Sequence, residues 1–257
     1  MMAQSLQLET SEDTVLGGRL VLRQPLRGHR VGHDAILLAA ATAARAGEHA
    51  VDLGSGVGAA GLALARRVDR LAVTLVEIDP ALTQLGHGNA ERNGLASLVR
   101  AVCLDVAARP SAFAAAGLKK EAADRVLMNP PFNALQNSSP EPARRTAHAA
   151  APGTLRQWVR AASLLLRAGG VLTLIWRADG LDEVLAELAV GFGAVSLLPV
   201  HPKPDEPAIR VLARATKGGR APLALLPGLV LADAAGKPSA AAENVLRHGG
   251  ILPLADI

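Results

Sequence analysis

The tetrapeptide Asn129-Pro130-Pro131-Phe132 has the residue types and the order needed to hold a nitrogen atom that carries two hydrogens. The side-chain oxygen of Asn129 and the carbonyl oxygen of Pro130 can each accept one N–H hydrogen bond. Pro131 restricts Pro130 to extended backbone, which fixes the direction of that carbonyl, and Phe132 offers a flat face to a planar group. The tetrapeptide therefore predicts a site for a planar amine or amide. The structural alternative is a proline turn that ends a strand, with Phe132 buried.

A second segment, Asp52 to Gly58, has the sequence of a turn that approaches a ligand closely. It follows a predicted strand and opens a predicted helix, at the sheet edge where open α/β folds bind nucleotide-like ligands. The spacing Gly56-x-Gly58-x-x-Gly61 also occurs in dinucleotide sites, where a pyrophosphate lies on the helix N-terminus. The Asp52 carboxylate would repel a pyrophosphate but attract the sulfonium and amino groups of S-adenosylmethionine (SAM). We therefore predict SAM as the cofactor, with a nicotinamide dinucleotide as the alternative.

Two further acidic residues follow the next predicted strands. Glu77 comes about 20 residues after the turn, where a carboxylate can accept hydrogen bonds from two ribose hydroxyls. Asp105 can accept from an adenine amino group. The alternative for Asp105, and for Asp79, is a solvated residue that caps a neighbouring turn. The predicted cofactor site comprises Asp52, Gly54, Ser55, Gly56, Gly58, Glu77, Ile78, Asp105, Val106 and Asn129.

Together, the two segments predict methyl transfer to nitrogen. The lone pair of an exocyclic amine or amide nitrogen is delocalised, so the nitrogen must be held and the charge that develops on it must be stabilised. The oxygens of Asn129 and Pro130 would do both while the lone pair points at the sulfonium methyl group. The predicted reaction is an in-line displacement without a covalent intermediate, with Asn129, Pro130, Pro131 and Phe132 as the catalytic residues.

These segments need a framework that brings strand ends to one edge. From residue 34 to about residue 200, short β-rich runs alternate with helix-like runs, a pattern typical of a parallel sheet with helices on both faces. Strands are predicted at 50–53, 72–76, 98–103, 125–128, 171–176, 194–200 and 209–215. Helices are predicted at 34–46, 59–67, 80–92, 155–167 and 181–190, with a last one capped by Ser239. We predict a doubly wound, mostly parallel seven-stranded sheet, a Rossmann-like methyltransferase fold, with an antiparallel closing strand.

Three segments make up the predicted domain organisation. Residues 1–33 form an N-terminal extension on the substrate side, and residues 34–220 form the SAM-dependent domain. Residues 221–257 form a C-terminal extension that packs on the same domain.

Composition excludes several classes of protein. Half of the 257 residues are hydrophobic, enough for a real core. The longest uncharged apolar run, 35–44, is about half of the roughly 20 residues that a membrane-spanning helix needs, and no secretory signal precedes it. A single cysteine, Cys103, permits no internal disulfide or cysteine zinc site and is expected to pack in the core. We therefore predict a cytoplasmic protein with no metal and no membrane partner.

Several stretches resemble class I SAM-dependent methyltransferases of the small-domain group, which carry Asn-Pro-Pro-Phe or Asn-Pro-Pro-Tyr. They are 16–19, 30–40, 52–58, 129–132 and 143–148, and within the group they are most similar to bacterial tRNA (adenine-N6)-methyltransferases that act beside the anticodon of a valine tRNA. The resemblance implies that Asp52, Gly54, Gly56 and Glu77 bind SAM, that Asp105 touches its adenine, and that Asn129 and Phe132 bind the target base. Ser55 stands where such turns often have Cys.

The predicted partner is RNA, and tRNA in particular. An exposed RNA loop base spares the cost of flipping a base out of a duplex. Basic residues follow the tetrapeptide and recur between Lys203 and Arg220, where they could line a phosphate path or form an ordinary solvated face. His33-Asp34 has a substrate- or cofactor-side role mainly by resemblance, and the alternative for Asp34 is a helix cap. The predicted substrate-binding residues are Phe132, Arg144, Arg145, His148, His33 and Asp34.

The predicted function is SAM-dependent N-methylation of an exocyclic adenine amine in RNA. The alternatives are methylation of a protein glutamine amide, methylation of guanine N2 in rRNA, a non-catalytic SAM- or RNA-binding module, and an oxidoreductase. The sequence leaves the oligomeric state open.

Overall fold

The structure is a computed structural model that describes residues 8–27, 30–132 and 153–256. Its strands are β1 (Thr10–Val15), β2 (Leu20–Pro25), β3 (His49–Leu53), β4 (Ala72–Glu77), β5 (Val99–Cys103), β6 (Ala123–Met128), β7 (Leu166–Arg177), β8 (Phe192–His201), β9 (Arg210–Lys217), β10 (Ala224–Leu225) and β11 (Leu229–Val230). Its α-helices are α1 (His33–Ala41), α2 (Ala59–Arg67), α3 (Pro80–Arg92), α4 (Pro110–Ala115), α5 (Thr154–Leu165), α6 (Leu181–Leu188) and α7 (Ala240–His248).

One large sheet runs through the molecule in the order β5-β4-β3-β6-β7-β9-β8. The strands from β5 to β7 are parallel, and β9 inserts antiparallel between β7 and β8. The predicted parallel sheet with an antiparallel closing strand is thereby confirmed. Within the described residues, the two-residue strands β10 and β11 also pair with β8. These two strands were not predicted, because two residues are too few to show the alternation of apolar and polar side chains that indicates a strand.

Apolar side chains cover both faces of this sheet. Leu75 and Val76 are adjacent on β4 yet belong to two different buried clusters, as expected when successive side chains point to opposite faces. One cluster contains residues of α1 and α2, and the other contains residues of α4, α5 and α6. No helix within the described ranges is long and apolar enough to cross a membrane.

Some predicted boundaries differ from the structure. Helix α1 ends at Ala41 rather than at residue 46, because Thr42 is extended and its hydroxyl donates to the Leu38 carbonyl (2.7 Å). Strand β7 begins five residues before its predicted start because Leu166 already pairs with Ala123 of β6. Helix α4 was not predicted. Cys103 was expected in the core but is exposed, since it ends the edge strand β5.

The first two strands form a hairpin that α3 holds through a buried asparagine. The Asn89 side-chain oxygen accepts from the Arg23 N–H (2.7 Å), and its amide donates to the Arg23 carbonyl (3.0 Å) and to the Val57 carbonyl in the glycine turn (3.0 Å). Asn93, one turn later, makes the same kind of pair with Val21. The hairpin is thus fixed to the segment predicted to bind the cofactor.

The C-terminal residues pack on α1 and on the sheet. Ser239 caps α7 by accepting from the Ala242 N–H (3.0 Å), as predicted. The Leu252 N–H donates to the Ala40 carbonyl at the end of α1 (2.9 Å), and Leu254 is fully buried.

Candidate active site

A cavity of about 1200 Å³ opens at the carboxyl edge of the parallel strands. It is lined by the residues that follow β3, β4, β5 and β6, which the sequence had predicted to meet there. The predicted site residues on its wall are Asp52, Gly54, Ser55, Gly56, Glu77, Ile78, Asp105, Val106, Asn129, Pro130, Pro131, Phe132, His33 and Asp34. Gly58 does not line the cavity and instead precedes α2. Arg144, Arg145 and His148 lie outside the described residues.

The glycine turn has the backbone that its sequence requires. Gly54 and Gly56 both have left-handed backbone, with φ of 66° and 56°. A side chain on Gly54 would overlap the Trp158 ring, whereas a Cβ on Gly56 would meet open space. Gly56 therefore presents bare backbone to the cavity, the close approach expected of a cofactor turn.

Asp52 has a structural contact in addition to its place on the cavity wall. Its side chain is buried, and one carboxylate oxygen accepts from the Gly61 N–H of α2 (2.8 Å). Burial raises its pKa to about 7, the Gly61 hydrogen bond opposes this shift, and the nearby Glu77 charge adds to it. With a pKa of about 7, the Asp52 carboxyl is only partly ionised at neutral pH. Asp52 lines the cavity and also ties β3 to α2.

Glu77 ties the turn to the next strand. One oxygen of its buried carboxylate accepts from the Gly56 N–H (2.8 Å), and the other accepts from the Asp79 N–H (3.0 Å). Each carboxylate oxygen can accept more than one hydrogen bond, so both retain capacity for hydroxyl donors in the cavity. This arrangement suits a ribose diol beside the turn.

The two acidic residues with alternative interpretations have different roles. Asp79 caps α3 by accepting from the Ala81 N–H (2.8 Å), as its structural alternative predicted. Asp105 is exposed, lines the cavity, and accepts from the Ala107 N–H (2.8 Å). Asp105 therefore combines the turn-capping interaction with a position on the cavity wall.

Asn129 follows the last residue of β6, and the glycine turn follows the last residue of β3, at matching positions on the two strands. Leu53 and Met128 are register partners on these neighbouring strands, so Gly54 and Asn129 start from adjacent points. The side-chain oxygen of Asn129 is buried without a hydrogen-bond partner among the described residues, and so is the Ser55 hydroxyl. Buried polar atoms without partners are rare and costly, and two on one cavity wall indicate a place for a polar ligand.

The Phe132 ring is held by two neighbours. The guanidinium carbon of Arg210 lies 4.7 Å from its ring centroid, and Trp176 meets it at 5.7 Å with an interplanar angle of 74°. Arg210 is in turn paired with Asp34 (2.9 Å). Gly32, rather than Asp34, is the N-cap residue of α1, so the helix-cap alternative for Asp34 was wrong.

The late basic segment does not form one continuous path. Arg214 donates to the Leu254 carbonyl (2.7 Å) at the C-terminal end, and Lys217 donates to two backbone carbonyls and pairs with Glu121. Arg210 is the one basic residue of this described segment that lines the cavity. The sequence predicted one basic segment that includes Arg210, Arg214 and Lys217. The order of residues in the chain does not show which partner each side chain contacts.

Sequence reasoning missed the aromatic neighbours of the site. Trp158 packs on the glycine turn and Trp176 packs on Phe132, although neither lies near its partner in sequence. The one feature of the sequence that could have drawn attention to these residues is that the chain has just two tryptophans. Within the described residues, no cluster of three or more histidine, cysteine or acidic side chains could hold a metal ion.

Comparison with known proteins identifies similar chains. A protein of Bacteroides fragilis named tRNA1(Val) (adenine(37)-N6)-methyltransferase is 29% identical over 154 residues, which are 60% of this chain and 62% of that protein. The protein of the same name from Porphyromonas gingivalis is 28% identical over 159 residues, which are 60% of this chain and 61% of that protein. The chain therefore spans about three fifths of the length of the curated relatives it matches.

A solved structure from Agrobacterium tumefaciens, described as a predicted O-methyltransferase, protein Atu636, has a TM-score of 0.71 and 28% identity. The match covers 85% of this chain and 98% of that one. The sequence profile of the family named Methyltransferase small domain matches residues 29–199, about two thirds of the 257 residues. The chain belongs to the methyltransferase small-domain family.

Proposed function

We propose that this chain transfers the methyl group of SAM to the exocyclic N6 amine of an adenine in RNA, and in tRNA in particular. The observation that carries the proposal is the side-chain oxygen of Asn129, which is buried without a partner among the described residues, on the wall shared with the glycine turn. The names of the relatives from Bacteroides fragilis and Porphyromonas gingivalis support adenine in tRNA as the substrate. Such a substrate would place the reaction in the cytoplasm.

The residues around the turn fit SAM. Gly56 offers bare backbone, and Glu77 has spare acceptor capacity for a ribose diol. In the part of the chain that the structure describes, the Ser55 hydroxyl has no hydrogen-bond partner. Ile78 and Val106 provide apolar contact for a purine ring, and Asp105 lies beside them on the same wall. When bound, SAM supplies an electrophilic methyl group on a sulfonium centre.

The chain's own groups would then act on the nitrogen. The oxygens of Asn129 and Pro130 accept the two N–H bonds, hold the amine, and stabilise the positive charge that develops as the new C–N bond forms. The amine releases one proton to solvent after transfer. Phe132 supports the plane of the base.

The two acceptors favour nitrogen over oxygen as the methylated atom. A hydroxyl substrate has one O–H, needs a base to remove its proton, and gives a second acceptor nothing to bind. This point separates the proposal from the O-methyl chemistry that the description of the Agrobacterium tumefaciens protein names.

The test is to supply the full chain with methyl-labelled SAM and separate pools of tRNA, rRNA, DNA and protein, and then to digest whichever pool becomes labelled. We expect label in tRNA, recovered as N6-methyladenosine. Label recovered as N2-methylguanosine, as methylglutamine or as an O-methyl product would overturn the proposal. SAM binding without turnover in any pool would identify a binding module instead.

A further inference from the structure

The guanidinium group of Arg210 is held on three sides at the Phe132 end of the cavity. Its Nε donates to the Asp34 carboxylate (2.9 Å), its Nη1 donates to the Ile209 carbonyl (3.0 Å), and its carbon lies 4.7 Å from the Phe132 ring centroid. The side chains of Arg210 and Asp34 are each 26% exposed. Because this ion pair is partly buried, it is screened less than a surface pair.

These contacts hold the Arg210 guanidinium against one face of the Phe132 ring. A guanidinium stacked on an aromatic face is attracted by the negative charge of that face, and its planar shape keeps the two groups parallel more effectively than a lysine could. Phe132 also meets Trp176, which is 3% exposed and therefore immobilised by the core. The ring is thus held by a charged group and by a buried aromatic group.

We propose that Arg210, anchored by Asp34, is a positioning residue that orients Phe132 and thereby sets the plane of the target base beside Asn129. This inference rests on the proposed function and adds to it the residue that aligns the base. The elements that carry the pair are far apart in the chain, since Asp34 is on α1 and Arg210 begins β9. The N-terminal and C-terminal parts of the chain therefore meet at the base end of the cavity.

A second arginine provides a matched control. Arg177 is the direct cross-strand neighbour of Arg210, lines the same cavity, and pairs with its own aspartate, Asp179 (3.3 Å). Like charges opposite each other on neighbouring strands are unfavourable, and each arginine has its own carboxylate to offset this. Arg177→Ala removes a positive charge from the same wall, so it measures the effect of charge alone.

The kinetic test compares Arg210→Ala, Asp34→Asn and Arg177→Ala in the full chain. For the first two variants we expect KM for the RNA substrate to rise about tenfold, the scale of a partly desolvated cation–π contact, while the Kd for SAM stays within about twofold. Arg177→Ala should raise KM for RNA clearly less. Equal increases in KM for Arg177→Ala and Arg210→Ala would overturn the proposal, because charge alone would then suffice. A parallel loss of SAM affinity and thermal stability would overturn it in favour of a structural role.

A second test needs no substrate. In a Trp158→Phe background, Trp176 is the only tryptophan of the chain and its emission reports on its Phe132 contact. Phe132→Ala defines the emission without that contact. Arg210→Ala and Asp34→Asn should each shift the emission in the same direction as Phe132→Ala, and unchanged emission in both would overturn the proposal. If the wild-type chain labels a substrate other than RNA, the proposed function fails while this test still decides the role of Arg210.

Discussion

At the scale of single residues, the side-chain oxygens of Asp52 and Asn129 have different roles in this site: one makes a structural hydrogen bond, and the other is open to a ligand. A carboxylate oxygen of Asp52, on β3, is bonded to the Gly61 N–H, whereas the amide oxygen of Asn129, after β6, is buried and has no partner among the described residues. The first stabilises the fold at this edge, and the second remains available to a ligand. Both residues were predicted to be functional, but only the folded structure distinguishes these two uses.

Asp52 should make the stability of the protein depend on pH. Its pKa in the folded chain is about 7, against an ordinary value of 3.8, so the folded state retains a proton that the unfolded state has lost between these two values. Unfolding free energy therefore falls as pH rises through that range and levels off above about pH 7. Between pH 5 and pH 8 we expect Asp52 to contribute a decrease of roughly 2–3 kcal/mol.

Urea unfolding of the wild type and Asp52→Asn at pH 5 and pH 8 measures this contribution. The amide keeps an acceptor for the Gly61 N–H but does not titrate, so the variant should lose much less stability over this range. All other groups are common to the two proteins, so their contributions cancel in the comparison. Identical pH dependence in the two proteins would show that Asp52 ionises normally.

At the scale of elements, the glycine turn depends on a contact from a distant helix. Gly54→Ala should destabilise the protein by about 3 kcal/mol or more, because a left-handed alanine is strained and its Cβ would overlap Trp158. Gly56→Ala should cost about 1–2 kcal/mol, because it carries only the backbone strain, but it should weaken SAM binding by filling the open approach. Thermal unfolding and calorimetric SAM titration measure both effects.

Trp158→Ala serves as the control for this pair of variants. Combined with Gly54→Ala it should recover part of the lost stability, because the overlap disappears while the strain remains. An additive double variant would mean that Trp158 does not limit the space at Gly54.

The hairpin β1–β2 depends on Asn89. Asn89→Ala would leave the backbone groups of Arg23 and the Val57 carbonyl without their partner, so we expect a loss of about 2–4 kcal/mol and faster hydrogen exchange at the Arg23 amide. Arg92→Ala is the matched control: Arg92 also links α3 to the hairpin, through an exposed ion pair with Glu12, and should cost less than about 1 kcal/mol. Unchanged exchange at Arg23 in Asn89→Ala would mean that the hairpin is held by its apolar contacts alone.

Local chemistry explains which elements were predictable. Helices 59–67 and 80–92 were predicted with the observed bounds, the second because Asp79 and Pro80 start it and Asn93 precedes a left-handed glycine that stops it. The cavity wall was predictable on similar local grounds, because Gly54 and Asn129 directly follow strands whose carboxyl ends meet at one edge of the sheet. The Asp34–Arg210 pair was not predictable, since its partners are 176 residues apart and only tertiary packing brings them together.

The whole molecule is expected to unfold as one unit, because its C-terminal part completes the main core. Leu229, Val245, Leu252 and Leu254 are buried in the same apolar cluster as α1 and α2. A chain that stops after Arg220 should lose this cover, bind a hydrophobic dye and show no sharp thermal transition. Full-length protein should show coincident melting by circular dichroism and tryptophan fluorescence. A truncated chain with a sharp transition and normal SAM affinity would show that the C-terminal part is an independent addition.

The central claim is that the Asn129 oxygen acts on the substrate nitrogen during transfer, and one measurement tests it most directly. The single-turnover rate of methyl transfer to the labelled RNA should be compared for wild type and Asn129→Ala, with the Kd for SAM measured on the same preparations. Loss of one transition-state hydrogen-bond partner should slow transfer by about a hundredfold or more while SAM affinity stays near that of the wild type. A variant that binds SAM normally and transfers methyl groups at close to the wild-type rate would contradict the claim.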